Sequence, residues 1–377
     1  MLRFWKTVGV AAVLAAGLGI NNASAAEKKV SSAEQWGLKP AGVELKSIGP
    51  MAFGPDGVLI VSDPQTATLY AIATEDAGGD PGKAAYNIAD VAKQLAGTLG
   101  GTPDQIMIKE LIVNPETGNL FLGVTSGEKK NALVKVDNTG KLTTIALDKV
   151  ASAKVELPNP PEDKEIVTGT RSRNRRLESI TDLAYSEGKV LVSGVVNAAD
   201  SSTVREIAFP FAAADTGTPV EIYHAAHGKV ENYAAIRTFV PFKVNGEATI
   251  LAGFTCTPLV KFPIAELTKG KKTKGTTVAE LGNRNTPLDM FLYEKNGQTY
   301  LLMANSARGV MKIPTKGINE RASLTEPVKG GGTAGQEFEA ITSWQGVTQM
   351  DKLGATQAVL LVKNGDSPLE IKTVELP

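Results

Sequence analysis

The 377-residue chain carries 40 Lys and Arg against 40 Asp and Glu, with 38 Gly, 20 Pro, two His and a single Cys. A body this close to neutral exerts no general pull on nucleic acid, so no nucleic-acid partner is expected. One cysteine excludes an internal disulfide, so packing alone must hold the fold, and a chain of this length buries enough surface to do so.

In chain order, the first element is a targeting signal. Arg3 and Lys6 precede an apolar run from Val8 to Ile20, and the small residues Ala23 and Ala25 follow. That order predicts a signal peptide over residues 1–26 and a secreted or periplasmic protein. The run is shorter than the roughly 20 residues of a membrane span, and none is expected elsewhere. Cleavage would leave 38 basic residues against 40 acidic ones, a net charge of −2.

A lead-in, residues 27–42, is expected to precede one domain over residues 43–377. Within it one pattern recurs six times: a short apolar strand, a Gly turn, a strand rich in Val, Leu and Ile, a polar loop and a third strand. Examples are "SIGPMAFGPDGVLIVSDPQTATLYAIA" and "SITDLAYSEGKVLVSGVVNAADSSTVREIAF". Aligned, the copies put Ile48, Ile108, Ile180, Ile236, Pro287 and Ile341 in one column, and Pro50, Glu110, Asp182, Thr238, Asp289 and Ser343 two residues on. Fourth strands follow in "KLTTIAL", "PVEIYHA" and "TTVAEL".

Six four-stranded sheets set radially make an all-β, six-bladed β-propeller. The sixth copy ends after three strands, at "LEIKTVEL", so an N-terminal strand, Val43 to Lys46, is expected to close the last blade. A β-sandwich, a barrel or a seventh blade within residues 77–107 competes with this reading. The helical spacing of Ile88, Val91, Leu95 and Leu99 argues against the extra blade.

"MAFGPDGVLIVSDPQTATLYAI" and "ESITDLAYSEGKVLVSG" resemble blades of the NHL-repeat and gluconolactonase-type propeller superfamily. The resemblance covers all six repeats at the level of strand pattern. It implies the fold, and a divalent cation such as Ca2+ at the channel mouth, held by Glu, Asn and Asp oxygens. The matching positions are Glu178, Asn285 and Glu339, each placed by the repeat register at the start of an inner strand near the central axis. The family's Glu-Gly-Pro start is missing: Ile48 stands before Gly49 and Pro50 where the Glu would be.

Long loops between blades point to one working face. They cover residues 77–107, 148–178, 224–235, 282–286 and 329–339. "RSRNRRLE" sets Arg171, Arg173, Arg175 and Arg176 beside Glu178, a set suited to capturing carboxylate or phosphate, or else a solvated loop of internal ion pairs. His224 and His227 share another of these loops, and Cys256 falls in a loop that opens on the same face. Together they suggest a metal or nucleophile site or simply structural residues, since His-x-x-His lacks the Glu and helix of a zincin. Arg284 lies in "GNRNT". "GGGTAG" at Gly330–Gly335 lacks the strand–helix context of a dinucleotide loop, and no Gly-x-Ser-x-Gly elbow, Walker loop or EF-hand is present.

The sequence therefore leads to an exported propeller that binds a small anionic ligand, or a protein partner carrying one, through Arg171, Arg173, Arg175, Arg176, His224, His227 and Arg284. The competing expectations are a metal-assisted hydrolase resembling the lactonases, working at the channel mouth, and a protein-interaction scaffold.

Overall fold

Val, Leu and Ile dominate the second strand of the repeats, and strands such as Val58–Asp63 and Leu120–Ser126 are buried along their whole length. An antiparallel strand buried on both faces must lie between neighbouring sheets, which is what radial packing provides. The computed structural model describes residues 30–127, 130–168, 171–244 and 246–377, and Ser31–Pro377 forms one unit. The segment expected to be a signal peptide, residues 1–26, falls outside the described residues, as does the side chain of Arg171. No helix among the described residues is long and apolar enough to cross a membrane.

The six blades form as expected, and their order round the ring does not follow the chain. Blade 1 takes its three inner strands from Met51–Phe53, Val58–Asp63 and Thr68–Ala73, and blade 2 is Ile106–Val113, Leu120–Ser126, Lys130–Val136 and Leu142–Thr144. Blade 3 runs from Asp182–Ser186 through Lys189–Val195 and Ser202–Ala208 to Thr218–His224. Blade 4 runs from Ile236–Val244 through Glu247–Phe254 and Pro258–Pro263 to Thr276–Glu280. Blade 5 is Pro287–Lys295, Gln298–Asn305, Gly309–Pro314 and Glu339–Ile341. Blade 6 contributes Val347–Leu353, Gln357–Val362 and Glu370–Glu375.

An apolar cluster fills each of six blade junctions and gives the order. Leu59, Val61 and Ile72 of blade 1 meet Phe121 and Leu133 of blade 2, whose Leu122 and Val134 meet Val359 and Ile371 of blade 6. On its other side blade 1 packs Val58 and Ile60 against Leu183 and Val190 of blade 3. The ring closes through blades 3, 4, 5 and 6. Blades 1 and 2 are thus transposed relative to chain order.

Transposition explains the closure, and it corrects the sequence reading. The strand that completes blade 6 is Asn87–Ile88, paired with Glu370–Glu375, and not Val43 to Lys46. Blade 1 is completed by Ala151–Glu156, from a segment read as a plain loop. Val43 and Leu45 instead pack over the junction of blades 1 and 2. Buried Asp63 holds that segment by accepting from Lys46 N at 2.7 Å and Ser47 N at 3.1 Å. The expected helix forms at Val91–Leu99 behind the closing strand, with Val91 and Leu95 fully buried. The lead-in adds Lys39–Pro40 to the edge of blade 1.

A β-bulge interrupts the inner strand at the same point in blades 2, 4, 5 and 6, between Ile108/Glu110, Ile236/Thr238, Pro287/Asp289 and Val347/Gln349. A bulge turns its extra residue out of the ladder, and here the extra residues are Lys109, Arg237, Leu288 and Thr348. The register corrects the sixth copy: Val347 and Gln349 belong in the repeat column, not Ile341 and Ser343. Glu339 consequently lies in the outermost strand of blade 5, paired with Lys312, rather than at the axis.

Candidate functional site

Residues after the bulge point into a central channel of about 580 Å³, lined by all six inner strands. Glu110, Asp182, Asp289 and Asp351 meet there. Asp182 accepts from Leu183 N at 2.8 Å and from Phe239 N of blade 4 at 2.6 Å. Asp289 repeats the device between blades 5 and 6, accepting from Met290 N and Met350 N. Asp351 joins blade 6 to blade 2 through Lys352 N and Val113 N. Inner strands have a free edge, and these carboxylates cap its N–H groups across three junctions. Burial pushes Asp182 up to about 7 and Asp351 up to about 6, against the backbone N–H groups that favour the charge. Glu110 and Asp289 are pushed well above the usual carboxylate range by burial and by the other channel acids.

A second concentration of polar groups lies on the rim between blades 3 and 4, around a pocket of about 270 Å³. It is built by an unexpected hairpin. Lys229–Glu231 turns back antiparallel on Thr218–His224 with Ile222 opposite Glu231, so Glu231 and His224 are diagonal neighbours on one face. Loop residue His227 folds over them, its ring 3.8 Å from that of His224. Glu231 accepts from His224 Nδ1 at 2.8 Å, from His227 Nδ1 at 2.7 Å and from the Tyr233 hydroxyl at 3.1 Å. Burial alone would raise Glu231; the bonds from His224 and His227 outweigh it and bring the carboxyl down to about 2.

Cys256 enters from the loop between the second and third strands of blade 4. Cys256 and Thr257 both hold positive φ, 65° and 55°, a conformation that is an outlier for a β-branched residue. The neighbouring loop keeps them there: Cys256 N donates to Asn285 O at 2.7 Å and Thr257 Oγ1 to Gly282 O at 2.6 Å. Strain held by surrounding bonds is a feature of working sites. A ring nitrogen of each histidine and the Cys256 sulfur all lie within 4.8 Å of one another. Beneath them Glu280 is fully buried, takes Ala226 N on Oε2 and has no partner for Oε1. Burial raises it to about 7, with Glu231 adding and the Ala226 bond opposing.

Arginines close the outer side of the pocket. Arg173 grips Glu178 through two bonds of 2.5 Å and one of 3.1 Å, and Arg175 and Arg237 stand 3.7 and 3.5 Å from the same carboxylate. Gly194 makes this turn possible, since a Cβ there would lie 2.1 Å from Ser179 O. Arg176 is taken up by the Pro161 carbonyl at 2.6 Å. Arg284 is exposed on a neighbouring loop, with φ at 55°.

The structure thus brings Arg173, Arg175, His224, His227, Cys256 and Glu178 to one rim, and adds Glu231, Tyr233 and Arg237. It separates the three expected oxygen ligands. Glu178 is surrounded by guanidinium groups, and Asn285 is buried, donating to Asn305 Oδ1 and accepting from Ala307 N. Glu339 sits on the outer edge of blade 5. Of the channel acids, Glu110, Asp182 and Asp289 stood in one repeat column, while Asp351 lies two residues past the column position Gln349. Glu231 carried no signal, because residues 229–231 read as loop.

No family model matches the chain, and neither does any curated protein. Solved structures resembling it include one described as a mitotic checkpoint complex, at 8% identity and TM-score 0.36 over 97% of this chain and 99% of that one. Another is a putative gluconolactonase, at 12% and 0.29 over 90% and 94%. A third is the PQQ-bound aldose sugar dehydrogenase of Streptomyces coelicolor, at 12% and 0.29 over 89% and 96%. Scores this low leave the functional argument to the chain's own geometry.

Proposed function

We propose that the protein is an exported binding protein that takes a small anionic ligand in the rim pocket between blades 3 and 4. One observation carries this reading: Arg173, Arg175 and Arg237 converge on the single carboxylate of Glu178, so that even against Glu231, which lines the same pocket, one positive charge is left in excess. Guanidinium groups held in place by Glu178 keep N–H bonds free for a carboxylate or phosphate at little further cost in order. His227 and Tyr233, both partly exposed at the mouth, offer further polar contacts.

Lactonase-like hydrolysis at the channel mouth gains no support, since the oxygen set it needs is dispersed or already paired. The test is calorimetric titration with inorganic phosphate and small carboxylates. Saturable binding that is lost in Arg173→Ala/Arg237→Ala, with the thermal midpoint retained, supports the reading. No heat above dilution with either class of anion would overturn it.

A further inference from the structure

We propose that His224, His227 and Cys256 form a three-ligand site for a zinc-class divalent ion, with a fourth position open to the rim pocket. Three independent observations bear on it. A ring nitrogen of each histidine and the Cys256 sulfur are already grouped within 4.8 Å. Metal bonds of about 2.0–2.1 Å to nitrogen and about 2.3 Å to sulfur need them somewhat closer. His227 is the most exposed of the three and can supply that movement.

Next, each Nδ1 is engaged by Glu231, so the nitrogen left for a metal on either ring is Nε2. His224 is only 2% exposed, yet its Nε2 has no hydrogen-bond partner. A buried ring nitrogen without a partner is costly. A bound cation would satisfy it. A carboxylate behind metal-binding imidazoles is the arrangement that fixes tautomer and aim; here one carboxylate serves both rings.

Finally, the donor set selects the ion. Two imidazoles and a thiolate are too soft for calcium or magnesium. They also resemble the trigonal set of a copper electron-transfer site, whose weak axial ligand is most often a Met; no methionine lines this pocket, which favours a zinc-class ion. Three protein ligands with an open fourth position are the arrangement of zinc sites that take a water or a substrate there. Cys256 binds as thiolate, so loading releases its thiol proton to solvent.

The metal site stands whether or not an anion binds; only the occupant of its fourth position rests on the function proposed above. The test is titration of the metal-free protein with Co2+, followed by absorption. One equivalent should bind with the visible bands of a tetrahedral ion and a near-ultraviolet thiolate-to-cobalt band, and Zn2+ should displace it. Cys256→Ser should abolish the thiolate band, and Glu231→Gln should weaken affinity on the order of 10–100-fold. Circular dichroism of the metal-free variants checks that they fold. Absence of tight binding, or a spectrum unchanged in Cys256→Ser, would overturn the site. Adding phosphate to the cobalt form then separates the two readings. Shifted bands support an anion at the fourth position, while unshifted bands leave the metal site standing and count against the anion.

Discussion

In the channel, Asp182, Asp289 and Asp351 face backbone N–H groups and one another; on the rim, Glu231 faces two imidazoles, a tyrosine hydroxyl and a lysine. Glu231 is buried, and the channel acids are partly buried. For Asp182 and Asp351 burial outweighs the N–H groups and favours keeping protons, while on the rim the bonds to Glu231 outweigh burial and favour the ionised form. Burial of an acid is therefore not by itself a mark of function. The neighbours decide whether a carboxylate ties strands together or organises other donors.

The sharpest way to break this comparison is to remove a channel acid. Asp289→Ala leaves Met290 N and Met350 N without their acceptor at the junction of blades 5 and 6. An orphaned polar group costs roughly 1–3 kcal/mol, and water in the channel replaces part of it, so a loss of about 2–3 kcal/mol is expected in urea unfolding. An unchanged midpoint would mean that the channel acids do not tie the ring, and would reopen them as a binding site.

A smaller effect is expected from pH. The channel acids hold protons in the folded chain that the unfolded chain has already released, so the stability they contribute is complete below about pH 4. It is lost as pH rises through about 6 for Asp351 and about 7 for Asp182. Glu231 works the other way: lowered to about 2, it contributes above its ordinary value of 4.5 and loses that contribution as pH falls. The thermal midpoint should be a few degrees higher near pH 5 than at pH 8, and Asp182→Asn should flatten the alkaline side. A midpoint that rises steadily to pH 8 would contradict the channel account.

Glu231→Gln is expected to cost less again, about 1 kcal/mol at pH 7. The amide can accept from only one histidine through its oxygen, and its nitrogen obliges the other ring to change tautomer or turn. Nitrogen-15 spectra of the two imidazoles report this directly. Matching tautomers in parent and variant would show that Glu231 does not orient the rings.

What could be read in advance follows from where each signal resides. The blades were legible because alternation, Gly turns and Val-rich strands are local properties of the chain. The closure was not, because Asn87–Ile88 is two residues long and is defined by partners 283 and 285 residues away, Ile371 for Ile88 and Lys372 for Asn87. Ala151–Glu156 was hidden for the same reason, since its pairing with Thr68–Ala73 skips a whole blade. On the rim, the Arg and His motifs were visible as clusters of residue types. Their partners Glu231 and Arg237 were not, because one depends on a hairpin diagonal and the other on a bulge. The error over Glu339 has a single cause: aligning Ile341 rather than Val347 moved the sixth inner strand six residues toward the N-terminus and carried the acid with it.

The smallest expected effect on stability is the one that best isolates the rim. Arg173 binds Glu178 through several hydrogen bonds, but its side chain is 59% exposed, and exposed ion pairs contribute roughly 0–1 kcal/mol. Arg173→Ala should therefore leave the urea midpoint almost unchanged, because Arg175 and Arg237 remain near Glu178 to compensate its charge. Phosphate or carboxylate binding should weaken by 10-fold or more, since a charge-assisted hydrogen bond contributes about 1.5–3 kcal/mol. The two measurements must separate. A loss of stability as large as that for Asp289→Ala, with anion binding intact, would make Arg173 a structural tie like the channel acids and erase the distinction between channel and rim.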